Sequence, residues 1–394
     1  MQKIAVLVSG GVDSSVALAL LKSQGFDVTA FYLKIWLEDE LAFLGECPWE
    51  EDLAYVRGVT EKLGVPLEIV PFQKEYWESV VAYTLAEVKA GRTPNPDMLC
   101  NARIKFGAFF DFLSGKSNPE QLKGVEGYDK GIGGFDKVAT GHYAQILCDC
   151  ATGEYSLWKG IDTKKDQSYV LYSLPRKLLP SILMPLGRYT KKEVRVMAEK
   201  FCLPIAKKRE SQDICFIPDN NYKAYLAGKL SPDIQLGNVV DLNGTVLGNH
   251  QGIPFYTIGQ RKGLGVAVGK PMYVVQLNTE KKQVVVGEDK DLLSYGLFAD
   301  EVNWQAFRVL EGPLVVTAKI RYGASLVPVR VVPCKKNEVK VLFCEPQRAV
   351  TPGQSIVFYR GDCVLGGARI KQPICQVKDR LLKKFRKVNL KEKM

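Results

Sequence analysis

The stretch VLVSGGVDSSVALALL, residues 6–21, runs from an apolar segment through two glycines, an aspartate and paired serines into a helical repeat. A strand that ends in glycines and leads directly into a helix aims loop N–H groups, and the positive end of the helix dipole, at one point. The stretch therefore reads as an anion-binding loop. It is not a Walker loop, because no Gly-Lys-Ser/Thr follows, and the G-x-G-x-x-G dinucleotide spacing is absent.

Outward from this loop the chain alternates strand and helix. KIAVLVS precedes it as a strand, and SSVALALLKSQ continues as a helix stopped by Gly25. DVTAFYLKIW is a second strand, EEDLAYVRGVTEKLG a helix ending at Gly64, PLEIVPF a third strand, and EYWESVVAYTLAEVKAG a helix ending at Gly91. The loop RTPNPDMLC then places Cys100 just ahead of the helix NARIKFGAFFDFL, and KVATGHYAQIL reads as one further strand. Short apolar strands separated by helices predict an α/β fold with a parallel sheet covered on both faces. In such sheets ligands sit beyond the carboxyl ends of the strands, where the glycine loop lies.

From about residue 185 the pattern changes. TKKEVRVMAEKFCLP is a helix with Thr190 as its cap, the basic-then-polar loop KKRESQDICFIP holds Cys215, and a short helix spans NYKAYLAGKL. Asn243-Gly244 signals a two-residue hairpin turn, and PMYVVQLNTEKKQVVVGE a second hairpin. Beyond about residue 290, PLVVTAKIRYG, SLVPVRVVPC, EVKVLFCE and QSIVFYRGDCVLGGARI are alternating strands without helices, which predicts a small antiparallel β-barrel. The expected organisation is a nucleotide-binding α/β domain at 1–184, a small α+β domain at 185–289, a barrel at 290–377 and a basic tail at 378–394.

A chain of 394 residues exceeds one ordinary core. Lysine and arginine outnumber aspartate and glutamate by 54 to 43, a net charge of +11 that favours a polyanionic partner. No stretch of about 18 uncharged apolar residues is present, so no membrane span is expected. Ten cysteines without a C-x-x-C pair, and only two histidines, argue against a disulfide scaffold or a metal cage. The first strand begins at Lys3, which leaves no room for a targeting segment. The expectation is a cytoplasmic monomer, or an organelle matrix or stroma protein if the chain is a trimmed precursor.

The loop SGGVDSS matches the SGGxDS signature of the ATP pyrophosphatases, which adenylate a substrate oxygen and release pyrophosphate. Together with TPNPDMLCN, ATGHYA, KKDQSYVLY, GRYTKKEVR, SQDICFIP, IGQRKGLG, IRYG and TPGQ in that order, it resembles the tRNA-specific 2-thiouridylases, the tRNA uridine 2-sulfurtransferase family, over nearly the whole chain. That resemblance implies ATP with substrate-associated Mg2+, held by Val8, Ser9, Gly10, Gly11, Val12, Asp13, Ser14, Ser15, Leu33 and Gly141, and no resident metal. It implies that Cys215 carries a persulfide sulfur and that Cys100 resolves it, with a Cys100–Cys215 disulfide between turnovers. Asp97 would assist proton movement. Asn95, Pro96, Asp97, His142, Lys165, Asp166, Gln167, Arg321, Tyr322 and Gln354 would contact a tRNA with a wobble uridine, and a persulfide donor protein would supply sulfur.

Several of these residues also have plainer readings: His142 as an interior histidine, Asp166 as a helix cap, Arg321 as a solvated strand residue. A nitrogen-transferring ATP pyrophosphatase would share the loop but needs no paired cysteines. A non-catalytic nucleotide-gated RNA-binding protein would need none of Asp13, Cys100 and Cys215. Three segments lie outside the family pattern: LEDELAFLGECPWEEDL, the glycine-rich insertion between Ser114 and Gly134, and the tail beyond about residue 377.

Overall fold

A computed structural model describes residues 1–36, 48–115, 134–208, 221–231, 234–335 and 337–375. Cys215 and its loop, most of the glycine-rich insertion, the segment 37–47 and the basic tail lie outside the described residues. The chain divides into two compact units, Met1–Val81 with Asp97–Phe216 and Asp362–Val364, and Ala82–Pro96 with Ile217–Gly361 and Leu365–Met394.

The first unit opens with β1 (Lys3–Val8), α1 (Val12–Ser23), β2 (Asp27–Lys34), α2 (Pro48–Leu63) and β3 (Leu67–Pro71). A long helix, α3, runs from Gln73–Tyr76 through the π-helical Trp77–Val81 into Ala82–Lys89. Helix α4 is built from Pro96–Leu99, the π-helical Cys100–Ala108 and Phe109–Leu113. Then come β4 (Lys137–Ala139), the antiparallel hairpin β5 (Ala144–Cys148) and β6 (Tyr155–Lys159), β7 (Ile182–Leu183) and α5 (Lys191–Lys200).

The sheet runs β3-β2-β1-β4-β7 with every pairing parallel. Strand alternation sorts its side chains onto two faces. Val6, Ala30 and Tyr32 pack with Val16 and Leu18 of α1, Val56 of α2 and Val194 of α5. On the other face Phe31 meets Phe109 edge-on at 5.2 Å, and Phe109 stacks on Phe112, which meets Phe72. Burying an aromatic or aliphatic side chain of this size contributes roughly 1.5–3 kcal/mol, so the two packed faces dominate the stability of this unit.

The segment expected as one strand, KVATGHYAQIL, is two strands of different sheets separated by residues 140–143. The cause is Gly141, where a Cβ would lie 2.7 Å from the Ser14 amide nitrogen. The chain must leave the sheet there to pack backbone on backbone against the first turn of α1.

In the second unit, α6 (Tyr222–Leu230) is capped by Asn221 and packs Leu226 and Leu230 against Val88. β8 (Gly237–Val240), β9 (Val246–His250), β10 (Tyr273–Asn278) and β11 (Gln283–Gly287) form a sheet in the order β10-β11-β8-β9. The β8–β9 turn is a three-residue loop and not the two-residue turn that Asn243-Gly244 suggests. Gly244 alone takes positive φ, its amide closes on the Asp241 carbonyl, and the Asp241 carboxylate accepts from Asn243 and Thr245.

β12 (Leu293–Trp304), β13 (Leu314–Lys319), β14 (Val327–Pro333), β15 (Val339–Arg348), β16 (Ser355–Arg360) and β17 (Cys363–Ile374) close into an antiparallel barrel in the order β12-β15-β14-β13-β16-β17, with β17 returning to β12. β12 escapes sequence reading because three register shifts in its pairings and a glycine interrupt its alternation; a Cβ on Gly296 would meet the Val341 carbonyl at 2.4 Å. Among the described residues, no helix is long and apolar enough to cross a membrane.

Candidate active site

The carboxyl ends of β1, β2 and β4 bring Val8, Leu33 and Gly141 to one edge of the parallel sheet, where the glycine loop turns into α1. Gly10 takes φ +67°, and a Cβ there would lie 2.7 Å from the Asp52 carbonyl oxygen. Glycine is therefore required by conformation and by space. The Ser14 and Ser15 hydroxyls both donate to the Gly11 carbonyl at 3.2 and 2.9 Å, while the Ser9 amide donates to Ser14 Oγ at 3.1 Å. These bonds fix the loop from within, and helix geometry leaves the first-turn amides of α1 directed outward for an anion. Val12 is buried beneath that turn.

Two lysines that sequence reasoning missed complete this edge. Lys191 Nζ lies 2.6 Å from Asp13 Oδ1, which also accepts from the Tyr143 hydroxyl at 2.7 Å. Lys191 opens α5, held there by a Thr190–Glu193 capping box and by its own amide donating to Asp162. Lys208 Nζ reaches Asp52 at 2.7 Å and the Gly10 carbonyl at 3.3 Å. No local signal singles out Lys191, because Lys192 shares the same first helical turn; its pairing with Asp13 arises only through the fold.

A second group of candidates gathers on α4. This helix begins at Pro96, a residue pre-set for a first helical position, so Cys100 lies a full turn inside the helix and not ahead of it. Cys100 is buried. Asp97 and Cys100 are three residues apart and share a face. The π segment that follows depends on Gly107, where a Cβ would meet the Ala102 carbonyl, five residues back, at 2.8 Å. Such bulges often accompany functional sites.

Burial raises the Asp97 carboxyl above its ordinary value, with the Lys105 ammonium pulling the other way. Lys105 donates to Asn101, whose amide donates to the Val170 carbonyl. Arg103, the other cation near Cys100 in sequence, is directed to the Ser79 carbonyl. His142 is buried, and burial, reinforced by Lys105, holds it well below the usual histidine value. It is therefore a neutral imidazole, with Nδ1 2.8 Å from Thr140 Oγ1 and its ring beside Phe106.

The remaining expected tRNA contacts fall in both units. Asp166 is buried and accepts from the amides of Gly160 and Ser168 and from the Ser168 hydroxyl, an Asx turn that precedes the short helix Ser168–Leu171, whose cap position is Gln167 and not Asp166. Gln167 exchanges bonds with the Tyr143 backbone, and Lys165 beside it is half-buried. In the second unit Arg321 and Tyr322 are exposed in the turn after β13, whereas Gln354 is occupied by the backbone of the segment leading to Asn95 and Pro96.

A parallel sheet whose first strand ends in a glycine loop defines an α/β domain, here followed along the chain by a small sheet domain and a six-stranded barrel. Three family models match in that order: a tRNA methyl transferase HUP domain over residues 2–219, a tRNA methyl transferase PRC-barrel domain over 223–288 and an aminomethyltransferase beta-barrel domain over 294–370. The tRNA-specific 2-thiouridylase MnmA of Carboxydothermus hydrogenoformans is 44% identical over 94% of this chain and 98% of its own. Those of Heliobacterium modesticaldum and Clostridioides difficile are 44% and 40% identical, over 94% and 95% of this chain and 92% and 99% of theirs. The chain belongs to the tRNA-specific 2-thiouridylase family.

Proposed function

We propose that the protein is an ATP-dependent tRNA uridine 2-sulfurtransferase acting on the wobble uridine. The observation that carries this reading is the Asp13–Lys191–Tyr143 set on a glycine-built loop, in a chain whose relatives along nearly their full length carry the name tRNA-specific 2-thiouridylase. The loop fits a nucleotide: Gly10 and Gly141 let Asp52 and the first turn of α1 pack closely on the loop backbone and fix it, and the first-turn amides supply donors. Among the described residues no group of three acidic, histidine or cysteine side chains could hold a metal. Asp13 is a single carboxylate that fits Mg2+ entering with the nucleotide, and the ion would supply charge neutralisation on the phosphates.

The uridine O2 attacks the α-phosphorus, the bond to the β-phosphate oxygen breaks, and pyrophosphate leaves. Lys191 and Lys208 neutralise charge on the departing group. Asp97, protonated more readily than an ordinary carboxyl, exchanges the proton at uridine N3. The adenylated oxygen is then displaced at C2 by sulfur from the Cys215 persulfide, either by direct attack or as hydrosulfide, and AMP leaves. By either route the Cys100 thiolate takes the Cys215 sulfur in a disulfide, which a thiol reductant reopens. A base in an anticodon loop must be turned out to reach these groups, which Asn95, Pro96 and Asp97 would receive, with Arg321, Tyr322 and Lys165 on the backbone.

Nucleoside mass spectrometry on unmodified tRNA incubated with Mg-ATP and a persulfide donor tests this reading. 2-Thiouridine that appears only with ATP supports it. ATP split to AMP in a tRNA-dependent way without 2-thiouridine would refute the sulfur step, and no reaction with either would refute the whole.

A further inference from the structure

We propose that the loop Gly160–Gln167 is a coupling element: it positions Tyr143 and Lys191, the two side chains bonded to Asp13 among the described residues, so that RNA seated on the loop sets the carboxylate that meets Mg-ATP. Tyr143 and Asp162 are its positioning residues. The proposal rests on the reading above for what the loop and Asp13 bind, and on the geometry for how they are joined.

Asp13 keeps 33% of its side-chain surface in solvent, so its orientation is set by its bonds more than by packing. Both bonds fall on Oδ1, from the Tyr143 hydroxyl at 2.7 Å and from Lys191 Nζ at 2.6 Å. The ammonium also stands 5.9 Å from the centre of the Tyr143 ring, which holds the two donors to each other. Each donor is tied to a different part of one loop. Gln167 exchanges two bonds with the Tyr143 backbone: its side-chain carbonyl accepts from the Tyr143 amide at 2.9 Å, and its own amide donates to the Tyr143 carbonyl at 2.9 Å. At the other end of the loop, a Cβ on Gly160 would lie 2.7 Å from that same carbonyl, so both ends rest on Tyr143. Between them Asp162 Oδ2 accepts from the Lys191 amide at 2.9 Å, a bond that foremost holds the Asp162 carboxyl below its ordinary value. The Ile161 amide donates to the Gly187 carbonyl, in the turn that leads to α5.

The loop is also closed upon itself. Asp162 accepts from the Lys164 amide through its carboxylate and from the Lys165 amide through its carbonyl, and the Asp166 carboxylate spans the amides of Gly160 and Ser168. A displacement at Lys165 is therefore carried to Gly160 and Asp162 together, along one contiguous set of bonds. Lys165, Asp166 and Gln167 keep the RNA-facing role given above. Tyr143 and Asp162 pass its effect to the two donors, and through them to the Asp13 carboxylate.

The test is calorimetry on the full-length protein with Mg2+ and α,β-methylene-ATP, which resists cleavage at the bond in question, in the presence and absence of unmodified tRNA. In the parent, tRNA is expected to tighten nucleotide binding by about fivefold or more, the usual size of a coupling between two sites. Tyr143→Phe removes the hydroxyl and keeps the buried ring, and Asp162→Ala removes the acceptor at a partly exposed position. Each should bring the ratio below about twofold with thermal midpoints near the parent value, and Asp162→Asn, which keeps an acceptor for the Lys191 amide, should restore most of it. If the midpoint falls for Tyr143→Phe, the Asp162 pair decides. A parent affinity that tRNA leaves unchanged would overturn the proposal. So would a parent-sized ratio in Tyr143→Phe and Asp162→Ala, which would make both residues supports of the nucleotide site alone. If the parent fails to thiolate tRNA, the thiolation reading fails, while the ratio still decides the coupling.

Discussion

The two compact units use opposite charges in opposite ways. At the glycine loop, Lys191 pairs with Asp13 and Lys208 with Asp52, and the carboxylates keep 33% and 40% of their surface in solvent. In the second unit Glu87 is 8% exposed and takes Arg92 and Arg369 together. A pair whose members keep access to water can exchange a partner for a phosphate oxygen at little cost. A buried carboxylate that loses its guanidinium leaves an uncompensated charge inside the fold. Equivalent ion pairs are thus ligand-ready in one place and architectural in the other.

The sharpest way to break this contrast is to remove one cation from each set. Arg369→Met leaves Glu87 its Arg92 but strips half-buried Asp300 of its guanidinium, and is expected to cost about 2–3 kcal/mol of stability, read as a lower denaturant midpoint. Lys191→Met should cost about 1 kcal/mol or less, yet lower AMP formation by about a hundredfold. Equal destabilisation by both substitutions would end the distinction.

Gly141→Ala sharpens the account of the loop. A Cβ placed 2.7 Å from the Ser14 nitrogen must push the first turn of α1 aside. Nucleotide binding by calorimetry should weaken by at least about tenfold, on the scale of a lost hydrogen-bond network. An unchanged affinity would show that this turn does not hold the nucleotide.

Asp97→Asn separates function from stability on α4. Because burial disfavours the charged carboxylate in the folded state, its contribution to stability declines as pH rises above the ordinary carboxyl value. The amide removes that penalty. The thermal midpoint at neutral pH should rise slightly while thiolation falls by about a hundredfold.

The smallest effect is a pH dependence. His142 and His250 are both held below the usual value, foremost by burial. Folding thus favours their neutral forms, so stability is full above about pH 6.5 and declines as pH falls below it, where the unfolded chain binds protons first. Replacing both with glutamine should flatten the stability profile between about pH 5 and 7.

Much of the fold was legible because the strong signals were local. Apolar strands, capping glycines at positions 25, 64 and 91 with positive φ, and the Thr190 cap are written within a few residues. What was not legible depends on distant approach. The break at Gly141 exists because α1 packs there, and β12 is disguised by a glycine facing Val341. The place of Asp13 in the site could be read from SGGVDSS, but Lys191 lies 178 residues away and joins it only through the fold. Gln354 was legible as a residue of interest, whereas its bonds to Thr93 and Pro94 were not.

The most direct test of the central claim is to count AMP and 2-thiouridine in the same reaction, for the parent and for Cys215→Ala. The account predicts one AMP per 2-thiouridine for the parent, and loss of 2-thiouridine in the variant with tRNA-dependent pyrophosphate release retained. Thiolation that persists without Cys215, or AMP that forms without tRNA in the parent, would contradict it.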